Sequence, residues 1–175
     1  LITVKLTTGH DEVVLITSDG KSIRFNEENV RSMGRTAAGV RGIRLGKKDC
    51  LVAAAIVARD ATLLVAGENG IGKRTQFDEY RTQSRGGKGI ITMKTTAKTG
   101  EVCGALAVKS NDEIMLNTVG GQMVRTGVDH IRMTGRNAQG VKLINLHGKD
   151  QLQAIAPVIS EEAGDEDAGD EDTEG

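Results

Sequence analysis

One glycine-rich stretch of this sequence is well suited to bind an anionic partner. Gln83-Ser84-Arg85-Gly86-Gly87-Lys88-Gly89 holds two cations and three glycines and has no apolar side chain. Glycine lets the backbone adopt positive φ angles and approach another surface closely. Arginine and lysine supply charge and donors that suit phosphate. The stretch therefore predicts a loop whose cations and backbone N–H groups contact phosphate.

This stretch is the middle member of an internal repeat. Met33–Gly39 and Thr134–Gly140 have the same character and lie about 50 residues away on either side. Self-similarity at a fixed period of this length indicates a repeat architecture. Other positions keep the same spacing: Asp19, Asn69 and Gly120; Arg24, Arg74 and Arg125; Arg35, Arg85 and Arg136; Gly39, Gly89 and Gly140; Val13, Leu63 and Ile114.

Each copy carries signals for four β-strands. A short apolar run leads to a turn such as Asp19-Gly20 or Asn69-Gly70, which predicts a two-residue hairpin loop with both residues at positive φ. After a loop that contains the Gly-Arg element, a third strand is predicted at Val40–Leu45, Ile90–Thr95 and Val141–Leu146. A fourth is predicted at Leu51–Val57, Val102–Val108 and Leu152–Val158.

These repeats predict an all-β, propeller-like domain over residues 1–158. Its repeats are 1–50, 51–101 and 102–151, followed by a closing strand at 152–158. Leu1–Leu6 fits the fourth-strand position, so we expect the chain to open on the closing strand of a repeat that lies upstream. Kelch propellers share the period but depend on aromatic residues, of which this chain has few.

The charge distribution is strongly asymmetric. Residues 161–175 contain nine acids and no base, which leaves 15 acids against 23 bases, or about +8, in residues 1–160. A basic body favours a polyanionic partner, although a solvated surface with a solubilising tail is the alternative. Residues 159–175 are predicted to form an acidic, disordered tail.

The sequence offers no constellation for catalysis or metal binding. Cys50 and Cys103 do not form a CxxC motif, and the histidines are widely scattered. Tyr80 is interpreted as structural. The longest apolar-rich run, 50–58, is too short to cross a bilayer, and the start of the chain does not look like a signal peptide. We therefore expect a soluble, intracellular protein without membrane association.

Two segments carry a family resemblance. Gly34–Leu45 (GRTAAGVRGIRL) and Gly135–Val141 closely resemble the repeat of the DNA gyrase A C-terminal domain. Gln83–Gly89 resembles the box motif of that family, usually Gln-Arg-Arg-Gly-Gly-Arg/Lys-Gly, with Ser84 in place of a basic residue. The resemblance covers residues 1–158. The position of this box late in the array, together with Ser84, implies a secondary copy of the motif.

The resemblance implies a β-pinwheel, in which neighbouring four-stranded blades exchange a strand. Such a domain wraps duplex DNA around a basic outer rim. The parent would be an ATP-dependent type IIA topoisomerase that introduces negative supercoils, with ATP and Mg²⁺ as cofactors of the holoenzyme. Its partners would be the rest of gyrase A and the gyrase B protein in an A2B2 assembly, in the bacterial cytoplasm at the nucleoid. This fragment would hold three of about six blades and would itself bind no cofactor.

The residues leave two other functions open: the C-terminal domain of the topoisomerase IV A protein, and a propeller-like protein-interaction module. Wrapping needs phosphate contacts spread along a curved face, and the scarcity of aromatic residues argues against single-strand stacking. The Arg24 position predicts either a blade-to-blade contact or a DNA contact. The predicted DNA-binding residues are Arg35, Arg41, Arg44, Lys73, Arg85, Lys88, Lys94, Arg136 and Lys142.

Overall fold

The computed structural model describes residues 1–159, so the predicted tail lies almost entirely outside the described residues. Within them the chain is all-β apart from three single-turn 3-10 helices, Glu27–Asn29, Phe77–Glu79 and Val128–His130. The strands are β1 (Glu12–Thr17), β2 (Lys21–Asn26), β3 (Leu51–Ile56), β4 (Thr62–Gly67), β5 (Ile71–Gln76), β6 (Ile90–Ile91), β7 (Val102–Val108), β8 (Glu113–Thr118), β9 (Met123–Gly127), β10 (Val141–Lys142) and β11 (Leu152–Val158).

The strands form three antiparallel sheets, which we call blades 1, 2 and 3. Their strand orders are β3-β1-β2-β6, β10-β5-β4-β7 and β11-β8-β9. Each blade contains one hairpin and the closing strand that follows it in the chain, and this closing strand pairs with the first strand of the hairpin. The all-β, propeller-like architecture predicted from the repeat is therefore confirmed.

Neighbouring blades exchange a strand. β6 follows the blade 2 hairpin in sequence, yet it pairs with β2 of blade 1 through Lys21↔Ile91 and Ser22↔Ile90. β10 follows the blade 3 hairpin and pairs with β5 of blade 2 in the same way. The exchange implied by the resemblance is thus present at both junctions between blades.

The predicted third strands were wrong in length. Ile90–Thr95 and Val141–Leu146 form ladders of only two residues, because past Ile91 the chain bends around the Gly20 carbonyl, which accepts from the N–H groups of Thr92 and Met93. Val40–Leu45 forms no strand at all. By its place in the repeat it would pair with a hairpin before β1, and the described residues contain none.

The prediction of a strand at Leu1–Leu6 was also wrong for this structure. These residues pair with no sheet, and Leu1, Ile2, Val4 and Leu6 are exposed. The physical reason is the same as for Val40–Leu45, the absence of a pairing partner. A closing strand pairs with the first strand of a hairpin, and among residues 1–159 every such strand is already paired with its own closing strand.

The hairpins are confirmed, but their turn type differs from the prediction. Each loop is longer than two residues, and within residues 1–159 only glycines adopt positive φ. In blade 1 the Gly20 N–H donates to the Thr17 carbonyl at 3.0 Å, and Gly20 has a φ of 74°. This is a type I turn followed by a left-handed glycine, the usual three-residue hairpin loop.

The core is shared between blades. Leu63, Leu64, Val65 and Ala66 of β4 are all fully buried, because this central strand packs on both faces. Leu63 and Val65 belong to a cluster with blade 1, whereas Leu64 and Ala66 belong to a cluster with blade 3. This alternation follows from the two-residue period of a strand. Blade 2 therefore packs against both blade 1 and blade 3 through the two faces of β4.

Candidate nucleic-acid interface

The glycine-rich stretch forms the first junction between blades. We call Gln83–Gly89 the box loop. Its Gly86 N–H donates to the Gly42 carbonyl at 2.5 Å, and the Arg44 N–H donates to the Gly87 carbonyl at 2.8 Å. The loop therefore lies along the matching segment of the preceding repeat. Thr134–Gly140, which we call the second loop, occupies the equivalent place at the junction between blades 2 and 3.

The arginines at the shared Gly-Arg position bind the preceding repeat. The Arg85 guanidinium donates to the carbonyls of Asn29 at 2.8 Å and Arg41 at 3.2 Å. The Arg136 guanidinium donates to the Ile91 carbonyl at 2.6 Å, and Ile91 is the counterpart of Arg41. The structure thus uses the side chains of both predicted DNA contacts to join repeats.

Arg35 holds the same position in the repeat as Arg85 and Arg136 but has different surroundings. It lies in a segment before the first junction and is exposed. No upstream repeat is among the described residues to accept its donors, so its guanidinium faces solvent.

Lys73 was predicted to bind DNA, and the structure corrects this prediction. Its side chain is fully buried on β5 under the second loop. The ammonium group donates to the carbonyls of Gly135 at 3.3 Å, Ala138 at 3.0 Å and Arg136. Burial lowers the pKa of Lys73 to about 8; the Glu79 carboxylate opposes this shift and the Arg136 charge adds to it. Lys73 therefore binds the second loop to blade 2.

The remaining predicted cations are at the surface. Arg41, Arg44, Lys88, Lys94 and Lys142 are all exposed. Arg44 and Lys88 line one surface cavity of about 310 Å³ at the first junction. The structure therefore brings these two together on either side of the backbone contact between the box loop and the preceding repeat.

Lys21 lines the same cavity and was missed by the sequence reasoning. Its counterparts are Ile71 and Gln122, so no recurrent charge marked this position. The available signal was its place directly after the hairpin glycine, since β2 and β6 pair through Lys21↔Ile91 beside the box loop. Lys21, Arg44 and Lys88, which we call the junction cations, all line this cavity beside the box loop, and Lys21 also lies 3.9 Å from the Asp19 carboxylate.

Of the two alternatives for Arg24, a blade-to-blade contact or a DNA contact, the structure shows the blade-to-blade contact. The Arg24 guanidinium donates to the carbonyls of Phe77 at 2.7 Å and Tyr80 at 3.2 Å, and it forms an ion pair with Glu12. The Arg24 hydrogen bond lowers the pKa of Glu12, with a further contribution from the Thr82 hydroxyl. This group is half-buried between blades 1 and 2.

Tyr80 also has a structural role. It is buried in the core, and its hydroxyl is 2.7 Å from the Thr92 hydroxyl. Burial raises the pKa of Tyr80. Across residues 1–159, no group of three or more His, Cys, Asp or Glu side chains is placed to hold a metal ion. The same residues include no helix that is long and apolar enough to span a bilayer.

A family model described as the DNA gyrase C-terminal domain, beta-propeller, matches the chain three times, at residues 11–58, 61–109 and 112–159. The chain belongs to this gyrase C-terminal domain family. Each matched segment contains one hairpin and its closing strand. The resemblance drawn from the three glycine-rich segments is thereby confirmed.

The DNA gyrase A protein of Escherichia coli (strain K12) is 46% identical over 165 residues, which cover 93% of this chain and 19% of that protein. The chain thus spans about a fifth of the length of the curated relatives it matches. A solved gyrase A C-terminal domain superposes with a TM-score of 0.81 at 29% identity, covering 87% of this chain and 52% of that one.

A solved C-terminal domain of DNA topoisomerase IV has a similar fold, with a TM-score of 0.84 at 25% identity over 89% of this chain and 49% of that one. The fold alone does not separate the two enzymes. The sequence identity to gyrase A is much higher, and gyrase A is therefore the better supported relative.

Proposed function

We propose that this chain binds duplex DNA on its outer surface and wraps it, as part of a gyrase A protein. The observation that carries the proposal is the cluster of junction cations, Lys21, Arg44 and Lys88, at the box loop. Lysine and arginine at a surface attract the phosphate backbone without reading its sequence. A gyrase C-terminal fold and a basic body of about +8 support the same function.

The repeat supplies the geometry that wrapping requires. A duplex of 20–30 bp costs on the order of 1–6 kcal/mol to bend smoothly, and phosphate contacts spread along the bend offset this cost. Arg41 and Lys142 occupy one position in the repeat, and Arg44 and Lys94 occupy another. Arg44 and Lys94 lie in successive repeats, whereas Arg41 and Lys142 lie two repeats apart with Ile91 between them. Exposed cations are thus spread over several repeats of the domain.

In the parent enzyme, the domain would hold a DNA segment for strand passage, which other parts of the enzyme carry out. The holoenzyme would contain the remainder of gyrase A and the gyrase B protein as A2B2, and would use ATP and Mg²⁺ to introduce negative supercoils. Its place would be the bacterial cytoplasm at the nucleoid. Higher sequence identity to gyrase A supports this assignment over topoisomerase IV.

The DNA-binding test is a salt titration of this chain with duplex DNA. We expect log K to fall linearly with log salt, with a slope of about −0.9 for each phosphate neutralised. Replacing Lys21, Arg44 and Lys88 together with alanine should reduce the slope by about 2.7. Lys109→Ala is the control: Lys109 is exposed beyond the end of β7 that lies away from the hairpin turns. Affinity that is absent at low salt, or independent of salt, would favour a protein-interaction module instead.

The role in the holoenzyme is tested by DNA topology. A parent enzyme that lacks this segment should relax supercoiled DNA but lose most of its ability to introduce negative supercoils. If supercoiling is unchanged and only decatenation falls, the topoisomerase IV alternative is the correct one.

A further inference from the structure

Arg74 is a buried cation that has lost the acid its counterparts retain. In blade 1 the Glu12 carboxylate pairs with Arg24, and in blade 3 the Glu113 carboxylate pairs with Arg125. The register places these pairs identically, since Arg24 lies opposite Val14 and Arg125 opposite Met115, two residues after each glutamate. In blade 2, Arg74 lies opposite Leu64, so the corresponding position is Thr62.

The surroundings of Arg74 do not replace the missing charge. Arg74 is only 7% exposed. Its Nε is buried without a hydrogen-bond partner, as is the Nε of the acid-paired Arg24, so what distinguishes Arg74 is the missing carboxylate. Its Nη1 donates to the Ser110 hydroxyl at 3.2 Å. Among residues 1–159, none of the ion pairs closer than 4.0 Å includes Arg74. A guanidinium buried without a counter-ion is costly, because desolvation is not repaid by attraction to an opposite charge.

A surface cavity lies next to this group, behind residues that contact it. Thr62, Ser110 and Met133 line a cavity of about 580 Å³ between the blades. Met133 forms a β-bridge with Arg74, and Ser110 accepts its hydrogen bond, so two residues of the cavity lining contact Arg74 directly. In blade 1 the counterpart of Met133 is Thr82, whose hydroxyl donates to Glu12. Blade 2 has therefore lost both the acid and its supporting hydroxyl.

Other charges in the cavity do not neutralise Arg74. Arg24 and Arg59 add two cations to the lining, and Asp60 and Asp78 add two acids. Neither acid comes within 4.0 Å of a nitrogen of Arg74 in the described residues. The position that a glutamate fills in the two flanking blades is thus open to an anion from outside.

We propose that Arg74 and Ser110 form a binding site for an oxyanion of the phosphate class, which takes the place of the carboxylate of Glu12 or Glu113. The planar guanidinium presents several donors to such an ion, and the Ser110 hydroxyl adds another. The phosphate has two possible sources, a free ion or the DNA backbone. The first test below uses the free ion and does not depend on the proposed DNA-binding function.

The test measures the melting temperature of the chain against inorganic phosphate at constant ionic strength. Wild type should gain roughly 3 °C when phosphate reaches ten times its Kd. Thr62→Glu restores the acid found in the other blades, so it should melt higher without phosphate and no longer respond to it. Arg74→Met should also lose the response, and Lys109→Met, which removes a nearby exposed cation, should keep it.

Two results would overturn the site: a wild-type melting temperature that phosphate does not change, or an equal response in Thr62→Glu. Thr62→Glu keeps the test decisive even where Arg74→Met is too unstable to measure. A DNA salt titration of Thr62→Glu then identifies the source. A slope smaller by about one phosphate assigns the site to the DNA backbone, and an unchanged slope assigns it to a free ion.

Discussion

The two junctions between blades share one backbone plan and the same arginine contacts, but they differ in the side chain that lies beneath the loop. At the first junction Ile23 lies under the box loop, where its methyl carbon would be 3.4 Å from a Cβ on Gly87. At the second junction the same position is Lys73, whose ammonium binds three carbonyls of the second loop. One loop is therefore fixed by apolar contact and the other by a buried cation.

The outer surfaces of the junctions also differ: the first junction, which has an apolar residue beneath its loop, carries more surface cations than the second. The first carries Lys21 and Lys88 beside Arg44. The corresponding residues at the second are Ile71 and Gln139, with only the lysine that matches Arg44 retained. The first junction thus has these cations at the surface, whereas the second has fewer surface cations and a buried one, Lys73, beneath its loop.

This contrast separates two kinds of cation in the repeat. The arginines that recur in all three copies at the Arg24 and Gly-Arg positions bond carbonyls or acids of the protein, or in Arg74 the Ser110 hydroxyl, wherever a partner is present. Lys21 and Lys88 do not recur, and both are at the surface. An arginine that recurs in all three copies is therefore a sign of blade packing in this chain, and the exposed cations outside these two positions are better candidates for DNA contact.

Breaking the backbone contact common to both junctions should have the largest effect. A Cβ on Gly89 would lie 2.4 Å from the Ser22 carbonyl oxygen, and Gly89 has a φ of 70°. We expect Gly89→Ala to reduce the free energy of unfolding by about 3 kcal/mol, from strain and overpacking together. Gly39→Ala is the matched control, since its Cβ would meet nothing within 4 Å. It should cost about 1 kcal/mol. Equal losses in urea unfolding would show that the close approach is unimportant.

The pH dependence of stability should distinguish the second junction from the first. Folding lowers the pKa of Lys73 from its ordinary value of 10.5 to about 8, so between these values the unfolded chain binds more protons. Stability should therefore rise with pH across this window, by about 1–2 kcal/mol after allowing for the carbonyls that favour the ammonium.

Lys73→Met isolates this contribution in urea unfolding at several pH values. Burial raises the pKa of Cys103 to about 12, and this opposes Lys73 because the unfolded thiol ionises above its ordinary value of 9. The Cys103 contribution is common to wild type and variant, so the difference between them reports on Lys73. A difference that does not change from pH 8 to 10.5 would contradict the role of the buried ammonium.

Removing the arginine that bonds the preceding repeat should have a smaller effect. Arg85→Met loses two hydrogen bonds to carbonyls and should reduce the free energy of unfolding by about 1–2 kcal/mol. Arg35→Met removes an exposed member of the same column and should change it by less than about 0.5 kcal/mol. Thermal or urea unfolding of both variants measures this. Similar losses in the two would mean that the carbonyl contacts do not stabilise the junction.

The smallest effects on stability should come from the surface cations, which are best measured through DNA. Lys88→Ala should leave unfolding unchanged and reduce the salt slope of duplex binding by about 0.9. Lys73→Met removes a cation as well, but from the interior, so it should leave the slope unchanged. If both variants reduce the slope equally, the division between buried and surface cations is incorrect.

The residues that the sequence predicted best are those whose conformation depends on their own chemistry. Gly20, Gly39, Gly89 and Gly140 all adopt positive φ. The closing strand at Val102–Val108 was predicted with the bounds it has in the structure. Local apolar patterns and glycine freedom act over a few residues, and for this reason a single sequence reports them reliably.

The burial of individual cations was harder to predict from the sequence, and Lys73 shows why. In the sequence Lys73 is a lysine next to a recurrent arginine, and nothing local distinguishes it from the exposed Lys88. Its direction is set by the alternation of β5, and its surroundings come from a loop more than 60 residues later in the chain. No local pattern contains that information.

The sequence by itself determined the repeat, the all-β class, the positions of the hairpins and the basic character of the body. Only the tertiary structure decided which cations face solvent, which strands cross between blades and which segments remain unpaired. The reason is physical: a strand or guanidinium of one repeat is completed by the backbone of its neighbour. Arg35 and Arg85 thus differ in their surroundings although they hold the same place in the repeat.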